Sequence, residues 1–183
     1  MCKKIFVDMD GTLYKWDEHL DAQDKLYKKG YFLTCRPHLK MIEGIKTFIK
    51  RNPDVEVFIL SSYFDDSLYA RREKDLSLDY FLPEIKRENR IFVPYGTIKA
   101  EFAAMHQKVG KIDETCFLLD DYSKNLHEWE TCGGVGIKCK TKINGTKGSW
   151  HGNTIYYKED DITIAETLEK IMGISKSNCR KAS

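Results

Sequence analysis

Short runs of consecutive apolar residues recur along the 183-residue chain, separated by longer stretches in which apolar positions return every three or four residues. The runs are Ile5-Phe6-Val7, Val55 to Leu60, Ile91-Phe92-Val93, Cys116 to Leu119 and Val135-Gly136-Ile137. Nearly continuous apolar runs of this length predict strands covered on both faces, as in a parallel sheet. Met41 to Arg51, about Ser67 to Phe81, Thr97 to Lys108 and Ser123 to Thr131 carry the helical period, and Asp160 to Met172 adds a terminal helix. Strand and helix alternate, so the expected architecture is a doubly wound α/β sheet.

Two stretches interrupt the alternation. Residues 14–37, polar and lysine-rich at first and aromatic near Tyr31-Phe32, predict a small cap inserted between a core made of residues 1–13 and 38–172. Residues 138–158 carry turn chemistry in Ile143-Asn144-Gly145-Thr146 and Lys147-Gly148-Ser149-Trp150-His151-Gly152 and predict an extended β-hairpin. Its lysines read as a solvated edge rather than an anion site. The Ser-, Lys- and Asn-rich residues 173–183 predict a flexible tail.

Composition narrows the partners. Thirty basic and 28 acidic side chains leave a formal net charge of +2, which invites neither nucleic acid nor a membrane surface. No run approaches the roughly 18 apolar residues of a bilayer span. Six cysteines lie scattered with no Cys-x-x-Cys pair, and Met1-Cys2-Lys3-Lys4 leads into an apolar run too short for a secretory signal. Reduced thiols and a cytoplasmic location are the expectation. Oligomeric state is left open.

In an open α/β sheet, ligands bind beyond the carboxyl ends of the strands, so residues that follow each apolar run share one rim. The first run delivers Asp8 and Asp10, the second Ser61-Ser62, the fourth Asp120-Asp121. After the third come a turn, Pro94-Tyr95-Gly96-Thr97, and then Lys99, in the first turn of a helix for which Thr97 is a candidate cap. Carboxylates crowded in this way repel unless a hard cation such as Mg²⁺ bridges them and a phosphate. Asp8 can then attack phosphorus in line, and Asp10 can protonate the leaving alkoxide and later activate water. Gly11 permits the sharp turn after them. A serine hydroxyl, Ser61 with Ser62 in support, can hold a non-bridging oxygen, and Lys99 offsets developing charge. An Asp after a strand is commonly a mere helix cap; the ordered set of four strand ends carries the inference.

With Asp8-Met9-Asp10-Gly11-Thr12 in view, the chain resembles the haloacid dehalogenase (HAD) superfamily of phosphotransferases, whose opening motif is Asp-x-Asp-Gly-Thr. The resemblance implies an aspartyl-phosphate intermediate and Mg²⁺ held by Asp8, the main-chain carbonyl of Asp10 and the pair Asp120-Asp121, with Asp121 favoured as the direct ligand. Within the superfamily it is similar to the cytosolic type C, 5′(3′)-deoxyribonucleotidase-like group, on the short insertion, Glu73-Lys74 ahead of Leu78-Asp79-Tyr80-Phe81, and Leu118-Leu119-Asp120-Asp121. That likeness implies a nucleoside monophosphate substrate, with Trp16, Tyr31 and Phe32 stacking on the base and Lys74 assisting at the phosphate. The segment Phe92 to Lys99 lacks the group's arginine-containing form, and the 138–158 stretch is unfamiliar in it. A phosphatase of sugar phosphates or other small metabolites is the alternative expectation. A non-catalytic binding protein of the same fold is the contrasting one, although such proteins typically lose the nucleophile or the acidic pair.

Overall fold

The computed structural model describes residues 2–16, 23–141 and 149–174. Each predicted apolar run is a strand: β1 Lys4–Val7, β2 Glu56–Tyr63, β3 Arg90–Pro94, β4 Cys116–Asp120 and β5 Val135–Lys140, with β6 Asn153–Tyr156 added at the end. They form one sheet in the order β3-β2-β1-β4-β5-β6, every pair parallel. The connections carry α1 Gln23–Leu26, α2 Tyr31–Thr34, α3 Leu39–Arg51, α4 Ala70–Phe81, α5 Lys99–Ala104, α6 Ser123–Thr131 and α7 Asp161–Ile171. No helix among the described residues is long and apolar enough to cross a membrane.

Strand periodicity sorts the core into two layers. Ile5, Val7, Val57, Ile59, Phe117 and Leu119 face one side, where Met41, Ile45 and Phe48 of α3, Leu78 of α4 and Ile164 and Leu168 of α7 cover them. Phe6, Phe58, Leu60, Ile91, Val93 and Leu118 face the other, against Ala100 and Ala103 of α5 and Leu126 and Trp129 of α6. Phe6 stacks on Phe58 with ring centroids 5.0 Å apart, and the Trp129 indole N–H reaches the Cys116 carbonyl at 3.0 Å. Each fully buried side chain of this kind contributes about 1.5–3 kcal/mol relative to exposure. Gly44 lets α3 and α7 meet: a Cβ there would lie 2.5 Å from Ile164 Cγ2. Asp160 caps α7 by accepting the Thr163 backbone N–H at 2.9 Å.

Four local expectations are corrected. The strands flanking the expected 138–158 hairpin, β5 and β6, pair parallel, with Ile137 opposite Asn153 and Lys140 opposite Tyr156. The chain therefore crosses over through residues 141–152 instead of folding back; residues 142–148, with the Asn144-Gly145 turn signal, lie outside the described residues. Helix α5 ends at Ala104, short of Lys108, because the chain tightens into three-residue turns closed by His106 N–H to Ala103 O and Val109 N–H to His106 O. Its N-cap is Ile98, without a side-chain cap, so Thr97 does not fill that role. Ser61 and Ser62 lie inside β2, since Phe92 and Val93 of β3 continue the ladder opposite them.

Within residues 14–37, Tyr14 bridges antiparallel to Pro37, which closes the neck of the segment. Gly173 and Ile174, the start of the expected tail, bond back to Lys170 and Glu169 of α7; residues 175–183 are not described.

Candidate functional site

Strand order reverses between β1 and β4, and the crevice beyond their carboxyl ends is where doubly wound sheets take ligands. Asp8 directly follows β1 and Asp120 ends β4; the Asp8 N–H continues the ladder to the Leu119 carbonyl at 2.9 Å. Register alone thus sets two carboxylates side by side. Asp121 joins them: ligand oxygens of Asp8, Asp120 and Asp121 lie within 4.8 Å of one another. Gly11 makes room for the third, because its φ of +81° suits only glycine without strain and a Cβ there would lie 2.3 Å from the Asp121 carboxyl carbon.

Lys99, the first residue of α5, reaches between β1 and β4. Its ammonium donates to Asp8 Oδ1 at 2.6 Å and to Asp120 Oδ2 at 2.7 Å, and the residue is 3% exposed. Asp120 also accepts the Tyr122 N–H at 2.8 Å on Oδ1 and the Asn125 amide at 2.9 Å on Oδ2. Burial above all, with Asp120 and Asp10 adding and Lys99 opposing, raises the Asp8 carboxyl to about 7. Burial lowers Lys99, but Asp120 and then Asp8 outweigh that and hold its ammonium above the usual lysine range. One ammonium among this many carboxylates leaves excess negative charge, and an all-oxygen donor set suits a hard divalent cation. The residues present fit such an ion. Cys139 lies fully buried beneath them, its thiol pushed well up by burial, Asp121, Asp120 and Asp8, so it stays protonated rather than offering a thiolate.

Lys74 on α4 is no surface lysine: its side chain is 1% exposed. Its ammonium donates to Asp10 Oδ2, to Ser61 Oγ at 3.0 Å and to the Ser62 carbonyl at 2.5 Å. All three protons are used, and the face of Phe32 lies 4.8 Å away. Ser61 is thereby sealed beneath Lys74 with no exposure. Next to it in sequence, Glu73 accepts the N–H groups of Gly30 at 2.6 Å and Phe32 at 3.2 Å, tying α2 to α4.

The three aromatics separate. Phe32 is buried with Leu26 and Ala70, and Tyr31 packs on that cluster edge to face with Phe32. Trp16 touches the same cluster but also lines a cavity of about 240 Å³ that opens onto Gly11 and Asp121. Lys15, Arg36, His38 and Tyr157 form other walls. Sequence reasoning missed these walls and missed Tyr122 and Asn125. Asn125 had a readable signal, since it falls in the first turn of the helix that follows Asp120-Asp121.

No family model and no curated protein matches the sequence. Solved structures do resemble the fold. A provisionally named HAD-like phosphatase from Mesorhizobium loti superposes with TM-score 0.57 at 12% identity, over 96% of this chain and 88% of that one. D,D-heptose 1,7-bisphosphate phosphatases resemble it similarly. The enzyme from B. bronchiseptica, complexed with magnesium and phosphate, gives TM-score 0.55 at 13% identity over 92% and 98% of the two chains. That from Burkholderia thailandensis gives 0.56 at 10% over 91% and 98%. The six parallel strands and the order of their connections thus give this chain the fold of the HAD-like phosphatases.

Proposed function

We propose that the protein is a phosphomonoesterase of the HAD type that acts through an aspartyl-phosphate on Asp8. The observation that carries this reading is the convergence of Asp8, Asp120, Asp121 and Lys99 at the switch point, in a fold shared with phosphatases. Asp8, Asp121 and the Asp10 carbonyl would hold Mg²⁺, with Asp120 braced by Lys99, Tyr122 and Asn125 as support. When bound, the ion offsets negative charge on the phosphoryl oxygens.

The Asp8 carboxylate oxygen attacks phosphorus as the ester P–O bond breaks, and the departing alkoxide takes the proton of the Asp10 carboxyl. Asp10 next takes a proton from water, whose oxygen attacks phosphorus and releases phosphate and free Asp8. Lys99 steers Asp8 by binding Oδ1, so that the other oxygen serves as the nucleophile. Lys74 fixes the direction of Asp10.

Two substrate classes follow. A nucleoside monophosphate is supported by Trp16, whose indole lines the cavity and offers a stacking surface for a base. Burial of Phe32 under Lys74 argues against that ring as a second stacking partner. A phosphorylated sugar or similar metabolite is supported by the neighbours named for heptose bisphosphate and by the cationic walls of the cavity.

A panel of phosphate esters assayed with Mg²⁺ separates the two classes. Asp8→Asn is expected to abolish phosphate release, by at least about 10³-fold, while circular dichroism stays native and Mg²⁺ binding by calorimetry weakens. Undiminished turnover in Asp8→Asn would falsify the mechanism.

A further inference from the structure

The cavity beside the carboxylates has an electrostatic character that the chemistry at phosphorus does not require. Lys15 and Arg36 both line it, and neither makes an ion pair among the described residues. Arg51, Arg87 and Arg90, by contrast, are each paired with carboxylates. Backbone sets the two residues side by side: the Lys15 N–H donates to the Arg36 carbonyl at 2.8 Å, next to the Tyr14–Pro37 bridge. Two cations on one concave wall with no carboxylate partner among the described residues repel each other, an arrangement that an anion relieves.

A third cation flanks the wall. Lys158 Nζ lies 5.5 Å from the ring centroid of Tyr157, itself a wall residue. His38 completes the surface. Its Nδ1–H donates to the Thr12 carbonyl at 3.0 Å and its ring packs 4.4 Å from that of Tyr157. Burial lowers its basicity, the Thr12 contact opposes, and Lys15 and Lys158 lower it further; the wall is under positive potential. Among the described residues the one acid in the lining is Asp121, which belongs to the carboxylate cluster.

We propose that this cavity is a second anion subsite, and that the substrate is a phosphate monoester whose leaving group carries a further anionic group, a second phosphate or a carboxylate. Arg36 and Lys15 receive that group while Trp16 and Tyr157 flank the spacer. The cavity opens at Asp121 and Gly11, so a molecule bound there extends toward Asp8 from the β5–β6 side of the switch point. A volume of about 240 Å³ suits a compact spacer, being below the roughly 300–1,000 Å³ of drug-sized pockets. The proposal rests on the phosphomonoesterase reading.

The test uses the full chain with Mg²⁺ and four substrates. A sugar bisphosphate and a phosphorylated hydroxy acid carry the second anion; p-nitrophenyl phosphate and a nucleoside 5′-monophosphate do not. Expected is a kcat/KM at least about tenfold higher for one or both of the first pair, the step that one charge-assisted contact supplies. The arm that wins tells phosphate from carboxylate. In Lys15→Ala/Arg36→Ala that preference collapses, mainly through KM, and Arg36→Lys retains part of it. Hydrolysis of all four esters without preference, or an equal loss on all four in the double variant, overturns the second subsite and leaves the phosphatase standing. Absence of hydrolysis on every ester, with Asp8→Asn indistinguishable from the parent, overturns both.

Discussion

Lys74 holds a charge where water cannot reach it, and each of its three donors is committed: to Asp10, to the Ser61 hydroxyl and to the Ser62 carbonyl. Lys74→Met keeps the length of the side chain but strands those acceptors, with the Asp10 carboxylate partly rescued by its 23% exposure. Breaking a buried pair from one side costs about 3 kcal/mol. A urea midpoint lowered correspondingly, together with lost turnover, is expected; a variant as stable and as active as the parent would show that Lys74 positions nothing. In the sequence, Lys74 could be read either as a phosphate ligand or as a surface lysine beside acids, because nothing local reveals that Ser61, thirteen residues away, lies beneath it. Asp8, Asp120 and Lys99 were legible for the opposite reason. Each follows or ends a strand or opens a helix, and parallel register does the rest. Lys15 and Arg36 are ordinary exposed cations in sequence, and only the Tyr14–Pro37 bridge makes them neighbours.

At the scale of elements, α2 is only four residues long and owes its place to α4. Glu73 satisfies the N–H groups of Gly30 and Phe32, which would otherwise be among the unpaired donors that open any helix. Phe32 then drops onto Ala70 and toward the Lys74 ammonium. Glu73→Ala removes the tie while leaving Lys74 in place. Faster amide hydrogen exchange at Gly30 and Phe32, with protection in β1 and β4 unchanged, is the expected result; unaltered exchange at Gly30 would mean that packing of Phe32 suffices alone. The strands themselves were legible because buried parallel strands need unbroken apolar runs. Strand β6 was not, since only Ile155 of its four residues is buried and its sequence surroundings are rich in turn residues. Asn-Gly and Gly-rich turns bias a reading toward antiparallel pairing, whereas a parallel neighbour needs a crossover whose presence no short motif announces.

Taken as a whole, the molecule keeps its chemistry and its principal clamp at opposite ends of the sheet. Helix α3 runs from the rim near Asp10 back to the amino ends of the strands, and α7 returns there from β6. At that far end the Glu169 carboxylate, 5% exposed, takes Arg51 as a two-pronged donor, Nε at 2.8 Å and Nη2 at 2.9 Å, and the Asn52 amide at 3.0 Å. The fork geometry makes this a stronger pairing than a surface contact. Beside it, Lys3 ahead of β1 donates to the carbonyls of Met172 and Gly173. Residues more than a hundred positions apart are thus joined where no catalytic group lies. Glu169→Ala leaves the buried Asn52 amide with only the Phe48 carbonyl, at 2.9 Å, and Arg51 with only Glu166, at 3.6 Å, among the described residues. Arg51 is partly exposed and regains water, so the expected loss is about 2–4 kcal/mol, a large share of the roughly 5–15 kcal/mol that holds a domain together. Denaturant unfolding should show a lower midpoint at unchanged slope. Phosphate release measured well below the melting temperature should keep the parent kcat, because the carboxylates at the switch point are carried by β1 and β4, which the clamp does not touch. A fall in kcat at a temperature where circular dichroism remains native would mean instead that the α3–α7 layer transmits strain through the sheet to Asp8.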